Sequence, residues 1–200
     1  MALLKPHRLD SPFSPEQVLP LKAGQFVLVS GLVYTGRDRL HKYLAEGGKS
    51  PVDLKNAAIY HCGPVVIRKD SGWLVRAAGP TTSVREEPYL PRIIKEHGVR
   101  VVIGKGSMGK MTEDACKAGG CVYLHAVGGA AQVLAGKVVE VKGVHHTEFG
   151  LAEAMWALEL KDFPAIVAID SHGKSLLRKV QATSRRTGHK LIHSSEPFLA

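Results

Sequence analysis

Cysteine is scarce in this chain: three residues (Cys62, Cys116, Cys121) among 200. An odd number, in a chain long enough to bury its own core, excludes a disulfide scaffold and predicts a reduced, cytoplasmic setting. Their spacings of 54 and 5 residues match no zinc or iron–sulfur ligand box. Long apolar runs are also missing. None approaches the roughly 20 residues that span a bilayer, so no membrane is expected. Met1 to Asp10 has a three-residue apolar run followed by polar residues and proline, which is not a signal peptide. There is no internal repeat and no low-complexity tract. The histidines lack the H-x₃-H or H-E-x-x-H spacing that sets two metal ligands on one helix face. His145 and His146 are adjacent, so on a strand they point to opposite faces. No bound metal is expected, and no Ser-His-Asp relay is legible.

Acidic residues are outnumbered, 18 against 27, which leaves a formal charge of +9. From His172 onward there are six basic residues and one acidic, so +5 of that excess lies in the C-terminal tail. Aromatics are only 6% of the chain and are not interleaved with the tail's cations. Base stacking therefore has no platform, and nucleic acid is not the expected partner. A solvated tail, or one facing an acidic subunit, is the plainer reading.

What is present is an ordinary globular content of 44% hydrophobic residues and the length of one domain. Residues 1–13, rich in proline, read as an extended lead-in, 14–177 as the domain and 178–200 as a basic tail. Strands are predicted at Phe26 to Val33, Ala57 to His61, Pro64 to Arg68, Trp73 to Ala77, Arg100 to Gly104, Cys121 to His125, Val138 to Lys142 and Ala165 to Asp170. Lys69-Asp70-Ser71-Gly72 reads as a hairpin turn. Helices are predicted at Arg37 to Glu46, Glu86 to His97, Thr112 to Ala118 with Thr112 as N-cap, Gly129 to Ala135, and Phe149 to Leu160. Strand and helix alternate after residue 100, which implies βαβ units. The whole reads as one α/β domain with a mixed sheet, flanking helices and an added β layer.

Three stretches carry chemistry. Gly79-Pro80-Thr81-Thr82-Ser83-Val84-Arg85 sets a hydroxyl pair and an arginine on a Gly-Pro turn. Gly104-Lys105-Gly106 places a cation at a strand end, where open α/β sheets bind ligands; a tight turn with a solvent-facing lysine is the alternative. The longer run from Gly104 to Met111 fits G-x-x-x-x-G-K, but Met111 stands where a magnesium-binding hydroxyl belongs. Gly36-Arg37-Asp38 lies at a strand-to-helix junction. There an arginine can grip a carboxylate while Asp38 caps or orients, or it can simply open a surface helix.

Taken in order, these strings resemble a known family. Thr35-Gly36-Arg37-Asp38 with His41-Lys42, Gly79-Pro80-Thr81-Thr82 with Arg85, Gly104-Lys105-Gly106, Gly128-Gly129-Ala130-Ala131, Glu148 and Gly150 with Glu153-Ala154 and Trp156, and Asp162-Phe163-Pro164-Ala165 with Asp170 and Gly173 are similar to the class I fumarate hydratase β subunit. The wider group is the iron–sulfur hydro-lyases of fumarate and tartrate. The resemblance implies a swivelling β/β/α domain. It also implies a [4Fe–4S] cluster carried by a partner α subunit rather than by this chain, and a dicarboxylate substrate. Position by position, Arg37, Arg85 and Lys105 would hold the carboxylates, and Thr81 would act as the base or relay to it. Without its α subunit the chain would expose a sizeable face and could self-associate. Ser83, in the stretch Thr81-Thr82-Ser83-Val84-Arg85-Glu86-Glu87, also fits the tartrate branch. The Gly128-Gly129-Ala130-Ala131 loop leans toward fumarase, so both substrates remain open.

Overall fold

The computed structural model describes residues 5–70 and 72–193. The turn residue Ser71 and tail residues 194–200 lie outside the described residues. In chain order the elements are β1 His7–Asp10, α1 Pro15–Val18, β2 Phe26–Thr35, α2 Asp38–Ala45, β3 Ala58–Tyr60, β4 Val65–Lys69, β5 Gly72–Ala77, α3 Leu90–His97, β6 Val101–Gly104, α4 Lys110–Gly119, β7 Val122–His125, α5 Ala131–Ala135, β8 Val138–His145, β9 Met155–Ile169 and α6 Leu176–His193. Part of the proline-rich lead-in is a sheet edge, since β1 pairs in parallel with β2 from His7↔Val27 to Asp10↔Ser30.

Parallel pairing runs β2–β3–β6–β7, and β9 pairs antiparallel with both β7 and β2. The five strands therefore close on themselves, and β8 extends from β9 as an outer strand. The mixed sheet and flanking helices agree with the sequence reading; the closure was not anticipated there. Short strands at the centre need apolar residues on both faces. Ala58, Tyr60, Val101, Ile103, Val122 and Leu124 enter one core cluster, while Ile59, Val102 and Tyr123 enter the other. The alternation is the period of two of a strand buried on both sides. The first cluster holds Trp156 and Phe163, with the β4–β5 hairpin packed over it through Trp73. The second packs under α2, α3 and α4 through Leu40, Leu44, Ile93, Ile94 and Cys116. Each fully buried Val, Leu or Ile contributes roughly 1.5–3 kcal/mol.

Two sequence expectations are corrected. Phe149 to Leu160 was expected to be helical on the spacing of Leu151, Met155 and Leu158. Instead a 3₁₀ turn covers Thr147–Phe149, and Met155 opens the long strand β9. The segment is rich in helix formers, but Met155 to Leu158 are all buried and pair with β2 on one side and β8 on the other. Ladder bonds and burial on both faces override a propensity worth only tenths of a kcal/mol per residue. The predicted strand Ala165 to Asp170 is the second half of the same element. Thr112 is not the N-cap of α4; Gly109 is. Glu87 caps this helix from outside, accepting the Gly109 N–H at 2.8 Å, the Thr112 N–H at 3.0 Å and the Thr112 hydroxyl at 2.6 Å. A carboxylate at a helix N-terminus answers both unpaired N–H groups and the helix dipole.

Candidate functional site

Strands β2, β3, β6 and β7 run in one direction, so their carboxyl ends and the loops after them gather at one end of the sheet. The stretch after β5 is laid across that end. The Thr81 N–H donates to the His61 carbonyl at 2.7 Å, and Thr82 bridges Lys105 in parallel register. The Ser83 N–H donates to the Lys105 carbonyl at 3.1 Å, and the Lys105 N–H donates back to the Ser83 hydroxyl at 3.1 Å. The hydroxyl stretch thus slots between the ends of β3 and β6. Gly104 is obligatory there: a Cβ would sit 1.8 Å from Ser83 Oγ. Gly63 makes room on the other side, where a Cβ would lie 2.5 Å from the Ala152 carbonyl and 2.8 Å from an Arg37 Nη.

A 3₁₀ turn, Ser83–Glu86, then carries Arg85 back over Thr81. Arg85 Nη2 donates to Thr81 Oγ1 at 2.9 Å and pairs with Asp38 Oδ2 at 3.0 Å. Asp38 was expected to cap α2 or orient Arg37; it makes no side-chain cap and holds Arg85 instead. Arg37, immediately before α2, lies 3.3 Å by its Nε from Glu153 Oε1. The other Glu153 oxygen accepts the Arg39 N–H at 3.0 Å, so this one carboxylate forms an ion pair with Arg37 and holds the start of α2. Lys105 follows β6, half-buried, and its side chain runs past Gly128, 3.6 Å from where a Cβ would stand. The structure thus joins Thr81 to Arg85 directly, Lys105 to the same stretch through the backbone, and Arg37 through its neighbour Asp38. Coming from three separate loops, the three cations share one end of the sheet.

Beneath this rim is a polar layer to which the sequence reading assigned no role. His41, His61, Ser83 and Glu86 are fully buried. The His41 Nδ1–H donates to the Arg37 carbonyl at 2.9 Å, and the rings of His41 and His61 meet edge to face at 4.8 Å. His61 Nδ1 and the Ser83 hydroxyl share a hydrogen at 2.8 Å. Burial pushes His41 down to about 4, partly offset by its bond to Arg37 and by Asp38. Burial, and then His41, hold His61 well below the usual histidine range. Both imidazoles are neutral near pH 7. His41 and Glu153 stand in the motifs quoted above, and His41 also lies one helical turn from Arg37.

Among the described residues no group of three or more His, Cys, Asp or Glu is placed to hold a metal. The three cysteines are free and buried, with Cys62 in one core cluster and Cys116 and Cys121 in the other. They do not converge, so these residues do not fit an iron–sulfur cluster. No described helix is long and apolar enough to cross a membrane.

The family model described as Fumarase C-terminus matches residues 5–180. A Geobacillus stearothermophilus protein provisionally named fumarate hydratase class I is 50% identical over 193 residues, which is 96% of this chain and 37% of that protein. The chain therefore spans little more than a third of that relative. The L(+)-tartrate dehydratase subunit beta of Escherichia coli (strain K12) is 36% identical over 171 residues, 84% of this chain and 85% of that subunit.

Proposed function

This chain belongs to the Fumarase C-terminus family, and on that premise we propose that it is the β subunit of an iron–sulfur hydro-lyase that reversibly hydrates fumarate to L-malate. The carrying observation is the joining of Thr81, Arg85 and Lys105 at the carboxyl ends of β3 and β6, with Arg37 one residue from the Asp38 that holds Arg85. A dicarboxylate needs several fixed cations, and each charge-assisted contact contributes roughly 1.5–3 kcal/mol net. Arg37, Arg85 and Lys105 hold the two carboxylates. Removing a C–H proton beside a carboxylate builds up negative charge there, and the same cations stabilise that charge more strongly than the ground state.

Thr81 faces this carbon and moves the proton. A threonine hydroxyl is a weak base, but Arg85 donates to its oxygen at 2.9 Å. A cation at that distance favours alkoxide character: the hydroxyl proton passes to an acidic residue of the partner, and the freed oxygen accepts the C–H proton, with the reverse transfers in hydration. The cysteines here do not fit a [4Fe–4S] cluster, so a partner α subunit would carry it and would supply Lewis-acid chemistry toward the hydroxyl group. This chain binds, orients and handles the proton. Its three free, buried cysteines suit the reducing cytoplasm.

L(+)-tartrate dehydration is the second reading, favoured by the chain's spanning 85% of the Escherichia coli β subunit. One experiment decides between them. The chain is co-expressed anaerobically with a cluster-bearing subunit, and fumarate, L-malate and both tartrates are offered. Fumarate formed from L-malate, with no turnover of tartrate, is the expected result. Turnover of neither acid rejects the proposal.

A further inference from the structure

Glu86 directly follows the substrate-facing Arg85, yet its side chain turns inward and is 0% exposed. Neither of its carboxyl oxygens has a hydrogen-bond partner among the described residues. The ion-pair contact it does make is from Oε2 to His41 Nδ1 at 3.7 Å, and that N–H is already given to the Arg37 carbonyl. His41 Nε2 and His61 Nε2 are also buried without a partner. A buried carboxylate in this setting would be desolvated without a hydrogen bond to compensate it.

The charged groups around Glu86 come from α2, from its own 3₁₀ turn and from the loop before β9. Arg37 and Asp38 lie at the start of α2, His41 within it and Arg85 on the same 3₁₀ turn. Glu153 approaches from ahead of β9, and His61 stands behind His41. Burial has the largest influence and raises Glu86 to about 8; Asp38 and Glu153 push the same way, while Arg85 and Arg37 oppose them. With both histidines neutral, the layer carries no charge near pH 7.

We propose that Glu86 is a positioning residue that sets the net charge of the cationic pocket: as a neutral acid it leaves Arg37 and Arg85 to a dianion, and as a carboxylate it competes for them. This rests on the dicarboxylate reading of the site. On ionisation the proton leaves for solvent and one negative charge stays behind the two arginines. An added buried charge beside the two arginines weakens dianion binding roughly tenfold or more.

The first test needs no partner. The full chain, labelled with ¹³C at glutamate carboxyls, is titrated by NMR between pH 4 and 10, wild type beside Glu86→Gln. One resonance with a midpoint near 8, missing from the variant, is expected; a Glu86 midpoint in the ordinary carboxylate range overturns the proposal. The second test follows KM for fumarate against pH in the complex with a cluster-bearing subunit. Wild type should show KM rising about tenfold through pH 8, while Glu86→Gln and Glu86→Met show a flat profile. The same rise in both variants overturns the pocket role. A wild-type complex that turns over neither fumarate nor tartrate, with the midpoint still near 8, sinks the dicarboxylate reading and the pocket role with it. That pattern is distinguishable from a misassigned titration.

Discussion

The chain has two basic regions, one at the sheet end that carries Arg37, Arg85 and Lys105, the other along α6, and they are built in different ways. At the sheet end the arginines meet carboxylates at fixed distances, 3.0 Å to Asp38 and 3.3 Å to Glu153, and the loops are locked to one another by backbone bonds. Along α6, Lys179, Arg185, Arg186 and Lys190 occupy exposed positions, and Leu176 to His193 contains no acid. Arg178 reaches back to Glu113 at 2.9 Å, at the end of the helix that joins the domain. Most of the formal charge excess belongs to the second region, and most of the geometry belongs to the first. Charge density alone did not mark the site. A cation becomes a binding group when its approach is fixed before the ligand arrives, because less side-chain entropy is then lost on binding.

The largest expected effects break the first region. Thr81→Ala should lower kcat by about 10²–10⁴-fold, the usual contribution of a positioned proton-transfer group. Arg85→Ala and Lys105→Ala should each cost about 2–4 kcal/mol of transition-state stabilisation, roughly 30- to 1000-fold in kcat/KM. All three are read as hydration rates in the reconstituted complex, with the thermal midpoint of the chain alone as control. These side chains lie at the surface and contribute little to the core, so the midpoint should stay within a few degrees. Normal turnover in Arg85→Ala and Lys105→Ala would place the binding cations elsewhere.

The next effect concerns what lies under the first region and has no counterpart under α6. His41 is buried and neutral, with its folded value near 4 against 6.5 in an unfolded chain. The unfolded chain therefore binds more protons between those values, so this stabilisation is present above pH 6.5 and is lost as pH falls toward 4. The loss amounts to about 3 kcal/mol. Glu86 acts in the opposite sense, with its stabilisation lost as pH rises from its unfolded range to about 8. The difference between wild type and His41→Gln in denaturant unfolding isolates the histidine: the gap should shrink steadily from pH 7 to pH 4. A gap that does not change with pH would mean that His41 is not held neutral.

How much of this was legible beforehand follows from where the information lies. The turn that carries Thr81 and Arg85 and the strand end before Lys105 were readable because a Gly-Pro turn and a glycine-flanked strand end are local signals, and β2, β3, β6 and β7 because strands buried on both faces read as apolar runs. The helix expected at Phe149 to Leu160 failed because β2, one of the two neighbours that make it a strand, lies more than 100 positions away in the chain. Glu86 and Glu87 look alike in the chain. The fold sends one into the core beside His41 and uses the other to cap α4, and no local pattern distinguishes them. The Asp38–Arg85 pair crosses 47 positions, and the side-by-side pairing of β2, β3 and β6 brings its members together.

The smallest expected effect sharpens the contrast from the other side. Arg185 and Arg186 are exposed on α6. Replacing both with Gln removes two charges from a helix whose interior positions tolerate Gln as well as Arg. Stability should shift by less than about 0.5 kcal/mol, and hydration in the complex should stay within about twofold of wild type. If α6 binds nucleic acid, the double variant should bind it more weakly and the wild-type affinity should collapse between low and moderate salt, while hydration does not follow that dependence. A loss of hydration in this variant as large as that of Arg85→Ala would remove the distinction between the two basic regions, and α6 would then belong to the surface on which the catalytic partner sits.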